Sequence, residues 1–233
     1  MKTAERVLAT SDIHGQNTKF LKLLEKAEYN PARDLLVVCG DIVDRGTENL
    51  DCIATCKELV SQGAVVTKGN HELFLEEVLT AMITDEDWRN KPVVNVWSRR
   101  NGGTKTIEEI MDLPKSRLLE ILMFIKDLRP YFTVGDYIFS HAGADTSKPI
   151  EQNTENDLLW MNDNFPYCSA YPGKVMIFGH TPTWQLYNVK PTRKNAKIWY
   201  DNVNKDKLCV DCGGVFGGKL AAIELPAYRE FYV

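Results

Sequence analysis

Short apolar runs and helix-period segments alternate through the first half of the chain. Positions 6–10, 35–39 and 64–67 are aliphatic, β-branched runs that predict buried strands. Between them, 17–28 and 48–60 carry apolar residues three and four apart, which predicts helices. A β-α-β-α-β order implies parallel pairing, with crossover helices covering the sheet. Helices are also expected at 72–83 and 116–128, and the stretch between them reads as a helical excursion. Strands return at 137–140 and 175–178, then at 197–200, 208–210 and 220–225 in a turn-rich tail. No repeat, low-complexity tract or Pro/Gly/Ser linker divides the chain. Residues 1–233 are therefore read as one α/β domain with a helical insertion at roughly 72–130.

Polar residues cluster where strands end. The first run leads into Ser11-Asp12-Ile13-His14-Gly15, and the second into Gly40-Asp41-Ile42-Val43-Asp44-Arg45-Gly46. The third leads into Lys68-Gly69-Asn70-His71-Glu72. The runs at 137–140 and 175–178 lead into His141-Ala142-Gly143 and Gly179-His180-Thr181. In α/β sheets, ligands bind outside the carboxyl ends of strands, and glycines let the chain turn sharply there. All 4 histidines lie in these segments, so none is left for the core or the surface.

Imidazoles, carboxylates and an amide oxygen on one rim suit a pair of divalent first-row metals. Asp12 and His14, at i and i+2, share a face if strand geometry persists. Asp41 can bridge two ions, and Asn70, His141 and His180 complete the second. Singly, each motif has a plainer explanation: a turn, a helix cap, an αL Asn or a satisfied loop histidine. Together, in this order, they point to a metal centre.

The series Asp12-x-His14, Gly40-Asp41-x-x-Asp44-Arg45-Gly46, Gly69-Asn70-His71-Glu72, His141-Ala142-Gly143 and Gly179-His180 resembles the phosphoprotein phosphatase family of calcineurin-like metallophosphoesterases. It looks most like the short bacterial serine/threonine phosphatases. The resemblance extends from Asp12 to Leu225, through Asn101-Gly102-Gly103, Asp211-Cys212-Gly213-Gly214 and Gly218-Lys219-Leu220. It implies a four-layer α-β-β-α sandwich with mixed sheets. It also implies two divalent ions, usually manganese, with iron or zinc as alternatives. Two ions about 3.5–4 Å apart can hold a bridging hydroxide and aim it at phosphorus. His71 is then the expected general acid, oriented by Asp44, and Arg45 offers a planar fork to phosphoryl oxygens. Asn70 is expected at both metal and substrate. Glu72 is read as supporting its loop.

One position departs from the pattern. Where similar enzymes carry Leu-Leu-Trp-x-Arg, with an arginine that clamps phosphate, this chain has Leu158-Leu159-Trp160-Met161-Asn162. Asn162 is carried as a substrate-binding candidate in place of that arginine. Arg99 and Arg100 are candidates to compensate, or else are solvated surface charges. The expected substrates are phosphorylated proteins or small phosphoesters. A symmetrical dinucleoside tetraphosphatase is an alternative, although many of those carry Ala at the position of Asp44 and Asp at that of Glu72. A phosphate-binding regulator weakened at Asn162 is a third reading.

Composition removes other classes. The chain has 233 residues, 44% hydrophobic and 26% charged, with a formal net charge of -4. An ordinary, slightly acidic composition without a basic tail argues against disorder and against nucleic-acid binding. No apolar stretch reaches the roughly 20 residues of a membrane helix. No leader pattern is read at the N-terminus, so a cytoplasmic protein is expected. The 6 cysteines read as scattered reduced thiols, including Cys209 and Cys212 in a lone CxxC and the Cys52/Cys56 pair. Gly213-x-x-x-x-Gly218-Lys219 lacks the Ser or Thr of a nucleotide-binding loop and reads as a glycine-rich hairpin. Trp184, Tyr187, Trp199 and Tyr200, interleaved with Lys190, Arg193, Lys194 and Lys197, read as core aromatics beside a solvated basic loop.

Overall fold

In the computed structural model, which describes residues 6–84 and 87–233, strict alternation along short strands builds three buried layers. The N-terminal reading at 1–5 lies outside the described residues. In β1 (Arg6–Thr10), Leu8 points to one cluster and Ala9 to another. In β2 (Asp34–Cys39), Leu36 and Val38 share the first cluster, Val37 and Cys39 the second. Side-chain period two divides each strand between two faces, so a run that is apolar throughout must be covered on both.

Both strands pair in parallel, and β2 pairs likewise with β3 (Val65–Thr67). On the other side β1 is antiparallel to β9 (Ala221–Leu225), which pairs with β10 (Arg229–Tyr232). This makes one mixed five-stranded sheet. A second contains β4 (Tyr131–Val134), β5 (Tyr137–Ser140), β6 (Val175–Phe178), β8 (Lys207–Cys209) and β7 (Trp199–Tyr200), in that order. Strands β5, β6 and β8 run parallel, with antiparallel edges. Ala9, Val37, Phe139, Ile177, Leu208 and Ile223 interdigitate between the two sheets.

The outer face of the first sheet is covered by α1 (Asn17–Lys26) and α2 (Asn49–Ser61), as their periodicity predicts. The expected helical excursion is α3 (Asn70–Thr84), α4 (Pro92–Arg100), α5 (Thr104–Ile110) and α6 (Lys115–Lys126). Its buried residues, among them Leu75, Trp97, Ile110 and Ile121, join the same cluster. The outer face of the second sheet carries only short pieces, including α7 (Glu155–Leu159), with Leu158 and Phe165 over Met176 and Phe178. The four-layer α/β sandwich is present, with a thin fourth layer.

One expectation is corrected. The glycine-rich turn at 213–218 is not a hairpin: it connects β8 in one sheet to β9 in the other, through a 3-10 turn at Gly214–Phe216. All six cysteines are free thiols, five of them buried. Trp184 and Trp199 are buried, and Lys190, Arg193, Lys194 and Lys197 are exposed.

Candidate metal centre and active site

Five strand ends, three from the first sheet and two from the second, deliver their polar residues to one rim. Asp12 and His14 follow β1, Asp41 follows β2, Asn70 opens α3 after β3, His141 follows β5 and His180 follows β6. The turns are tight enough to demand unusual backbone. Asp12, His14, Asp41, Asp44, Arg45 and His180 all have positive φ, six of the ten such non-glycine residues among those described. Left-handed conformations cost of order 1–3 kcal/mol each and persist only where the surroundings over-determine them. Gly69 shows that crowding: a Cβ there would collide with Asp41 Oδ1 and the backbone of Asp41.

Two donor sets result. In the first, His14 Nε2 lies 3.6 Å from Asp12 Oδ1 and 3.6 Å from Asp41 Oδ2. In the second, Asn70 Oδ1, His141 Nε2 and His180 Nδ1 lie within 3.0 Å of one another. Asp41 Oδ1 is 3.4 Å from His141 Nε2, so this carboxylate faces both sets. Two imidazoles have their tautomers set from behind, since His14 Nδ1–H donates to the Val43 carbonyl at 2.8 Å and His141 Nδ1–H to Cys39 at 2.9 Å. Each Nε2 lone pair then faces the centre, an arrangement typical of metal-binding histidines.

The electrostatics fit a cation. Burial, then the like charges of Asp12 and Glu72, raise the Asp41 carboxyl well above its ordinary range. Burial and the neighbouring His180 bring His141 down to about 3. Burial, opposed by Asp12, also lowers His14 and His180. Crowded carboxylates beside neutral imidazoles are the donors that divalent first-row ions take. Arg45, whose Nη1 contacts His14 Nε2, is the cationic side chain seen touching them.

Beside this centre, His71 Nδ1 meets Asp44 Oδ2 at 2.5 Å, and His71 Nε2 lies 3.7 Å from Asp41 Oδ2. His14, Asp41 and His71 are also close enough to hold an ion by themselves. However, Nδ1 is committed to a carboxylate, which leaves a single nitrogen, Nε2, for donation or ligation. Burial lifts the Asp44 carboxyl to about 7, against the opposing donations of Thr106 and Trp97. Burial and nearby positive groups push His71 well below its usual value.

A family model described as calcineurin-like phosphoesterase matches residues 5–215. The chain belongs to this family. Serine/threonine-protein phosphatase 1 of Salmonella typhimurium (strain LT2) is 37% identical over 227 residues, spanning 94% of this chain and 91% of its own. The symmetrical bis(5'-nucleosyl)-tetraphosphatase of Dechloromonas aromatica (strain RCB) is 30% identical over 282 residues, spanning 97% and 94%. A cold-active protein-tyrosine phosphatase from a psychrophilic Shewanella sp. shares the fold at a TM-score of 0.63 and 17% identity, over 94% of this chain and 75% of that one. The calcineurin-like chain is thus a metallophosphoesterase, and the His/Asp/Asn cluster is compatible with the family's dinuclear centre.

The remaining candidates of this phosphoesterase fall in different places. Arg45 sits beside His14, its backbone N–H donating to the Gly102 carbonyl at 3.0 Å. Asn162 is exposed: its Oδ1 accepts the Asn164 N–H at 2.9 Å and its carbonyl accepts that of Phe165 at 2.8 Å. Its side-chain oxygen serves a local turn. Arg99 and Arg100 are exposed on the last turn of α4. Glu72 accepts backbone N–H groups from Asp41, Ile42 and Gly69 at 2.7–2.9 Å, so it holds the two loops together.

Sequence reasoning missed the supports of Asp44. Trp97 Nε1–H donates to Asp44 Oδ2 at 2.5 Å, and the Thr106 hydroxyl donates to Oδ1. Both come from the helical excursion, and the only local signal was the Asn101-Gly102-Gly103 turn between them. It also missed an aromatic arc over the rim. Phe74 lies 6.3 Å from His71 and 5.9 Å from Trp160, which lies 5.8 Å from His180. A groove of about 760 Å³ along β4 is lined by Arg129, Tyr131, Tyr171 and Lys174 among others. It contains no residue of the centre, so donor chemistry rather than volume locates the site.

Proposed function

We propose that the protein is a dimetal phosphomonoesterase acting on phosphoserine and phosphothreonine in proteins, and on small phosphoesters. The observation that carries this is the buried His71–Asp44 pair, braced by Trp97 and Thr106 and turned toward the carboxylate both donor sets share. Asp12, His14 and Asp41 would hold one ion, and Asp41, Asn70, His141 and His180 the other, manganese being the expected metal. When bound, such ions activate water and neutralise phosphoryl charge. The chain's own residues do the rest. Arg45 binds phosphoryl oxygens through its fork, with the Asn70 amide alongside. His71 Nε2–H gives its proton to the leaving oxygen while the proton shared between Asp44 Oδ2 and Nδ1 settles on Nδ1, so the ring ends as neutral imidazole and Asp44 as the carboxylate that orients it. Phe74 and Trp160 limit water on the outer side.

The 37% identity to a serine/threonine phosphatase supports the protein-phosphatase reading, as does the presence of Asp44 and Glu72. The full-length match to a symmetrical tetraphosphatase favours dinucleoside tetraphosphates as the second reading. Purified protein with manganese, offered a phosphoseryl peptide, p-nitrophenyl phosphate and diadenosine tetraphosphate, separates them by relative kcat/KM. Tetraphosphate far above the peptide would reverse the order of the two readings. Hydrolysis of none would leave a phosphate-binding regulator.

A further inference from the structure

Asp12 and Asp41 both bring a carboxylate to the rim, yet the donors around them leave them unequal. Asp12 Oδ2 accepts two hydrogen bonds, from the Ser11 hydroxyl at 2.6 Å and from the His180 N–H at 2.9 Å. A carboxylate oxygen has two lone-pair sites, so Oδ2 is fully used. Oδ1 is the atom that faces His14 Nε2, at 3.6 Å, and it is left for an ion. Asp41 is the reverse case. Among the described residues, the one hydrogen bond to its carboxylate comes from the His71 N–H, to Oδ1 at 3.1 Å. Asp41 can therefore offer both oxygens, whereas Asp12 can offer one.

Ser11 completes the difference. Its hydroxyl has a single hydrogen and two acceptors in reach, Asp12 Oδ2 and the Cys39 carbonyl at 2.8 Å. The charged acceptor at the shorter distance takes that hydrogen. The Cys39 carbonyl is already served by His141 Nδ1–H at 2.9 Å. Little slack remains around the pair, since Ser11 is 1% exposed and Asp12 3%. A Cβ on Gly179 would run into both Ser11 Oγ and Asp12 Oδ2. A hydroxyl oxygen vacates less room than the ~30 Å³ share of a water, so solvent does not replace this bond when it is deleted.

We propose that Ser11 is a positioning residue that makes Asp12 a one-oxygen ligand and thereby discriminates between divalent ions. This rests on the dimetal centre of the proposed function and adds a physical basis for its choice of metal. A compact first-row ion with imidazole ligands has few places in its shell, and one aimed carboxylate oxygen suits it. Calcium takes about six to eight oxygens at longer range and gains from a carboxylate that chelates with both. With Oδ2 held away, Asp12 meets the first need and withholds the second. Ser11 acts through Asp12 and touches neither ion nor substrate.

The test reads metal binding rather than hydrolysis. The full chain, stripped of metal, is titrated with manganese while the free ion is followed by electron paramagnetic resonance. Calcium is then added as competitor. Ser11→Ala should raise the manganese Kd of one of the two ions about 10- to 100-fold. Calcium should lose less than about 3-fold, because the freed Oδ2 lone pair turns to the larger ion, and the ratio of the two Kd values should narrow about tenfold. Thr10→Ala is the control, deleting a neighbouring buried hydroxyl that donates to the Ala221 carbonyl at 2.7 Å. It should lower Tm and leave the ratio within about 2-fold. Equal weakening of both ions in Ser11→Ala would mean that the hydroxyl only supports the fold, and would overturn the proposal, as would unchanged binding. A parent protein that binds manganese but releases no phosphate loses the phosphomonoesterase reading alone. One that binds no manganese loses the dimetal centre and this proposal together.

Discussion

Two buried clusters of charge in this fold are built on opposite principles. Around Lys207, whose side chain is fully buried, Asp201 Oδ2 lies at 2.6 Å, Asp206 Oδ1 at 2.7 Å and the Cys168 carbonyl at 2.5 Å. Burial alone would raise Asp201, but the Lys207 ammonium and the amides of Val203 and Asn204 outweigh it and hold the carboxyl at about 2. At the rim, burial and repulsion instead drive Asp41 and Asp211 up and the histidines down, and only Asp12 among these carboxylates is held low, by His14, His141 and Ser11 against its burial. The first cluster contains its own counter-charge and is finished by the sequence. The second gathers donors of one character around a place for added positive charge. A buried ion pair serves the fold; a buried surplus of donors serves a ligand.

The strongest way to test the contrast is to remove divalent ions. A chelator should reduce phosphoester hydrolysis to background, and restoring manganese at about 100 times its Kd should stabilise the fold by about 2.7 kcal/mol for each ion bound, read as a rise in Tm. An unchanged Tm would mean that the rim needs no cation. Next in size, His71→Asn should lower kcat about 100- to 10,000-fold with metal content, measured by elemental analysis, unchanged. Near-normal turnover would take His71 out of the mechanism.

The closed cluster should respond in stability alone. Lys207→Met leaves buried carboxylates without their cation and should cost about 3–5 kcal/mol in denaturant unfolding, with kcat per folded molecule retained. Its pH dependence has a definite sign. Asp201 is depressed in the folded state, so its contribution is fully present above about pH 4 and fades as pH falls toward about 2. The gap between parent and variant should close over that window; a gap that widened there would contradict the assignment. Smaller effects sharpen the picture of the rim. Trp97→Phe keeps an aromatic side chain, though a smaller one, but removes a donor from Asp44, and should cost about tenfold in kcat. Asn162→Arg, adding a fork near Trp160, should lower KM for small phosphoesters by about tenfold at most, and an unchanged KM would confine position 162 to its turn.

The rim was legible in the sequence because its chemistry is local. Each motif follows its own strand within a few residues, and four histidines with no other post left little freedom. What stayed hidden was non-local. Trp97 meets Asp44 across 53 positions, a contact set by how α4 folds back over the first sheet. Asn162 reads as a substrate contact from its place after Trp160, and the use of its Oδ1 by the adjacent turn is not visible in that spacing. Edge strands β4 and β10 are short and half exposed, so alternation marks them weakly. The 213–218 turn read as a hairpin because glycine spacing does not reveal that its flanking strands join different sheets.

The 3.4 Å approach of Asp41 to His141 crosses the seam between the two sheets, joining residues 100 positions apart. Anything coordinated there works as a bolt through the sandwich. Sliding one sheet past the other would pull the two donor sets out of register, so the seam should stiffen on loading. Amides of β5 and β6 should then exchange with solvent more slowly. Release of the bolt should be gated by that same shear, making metal off-rates a property of the whole sandwich rather than of six side chains.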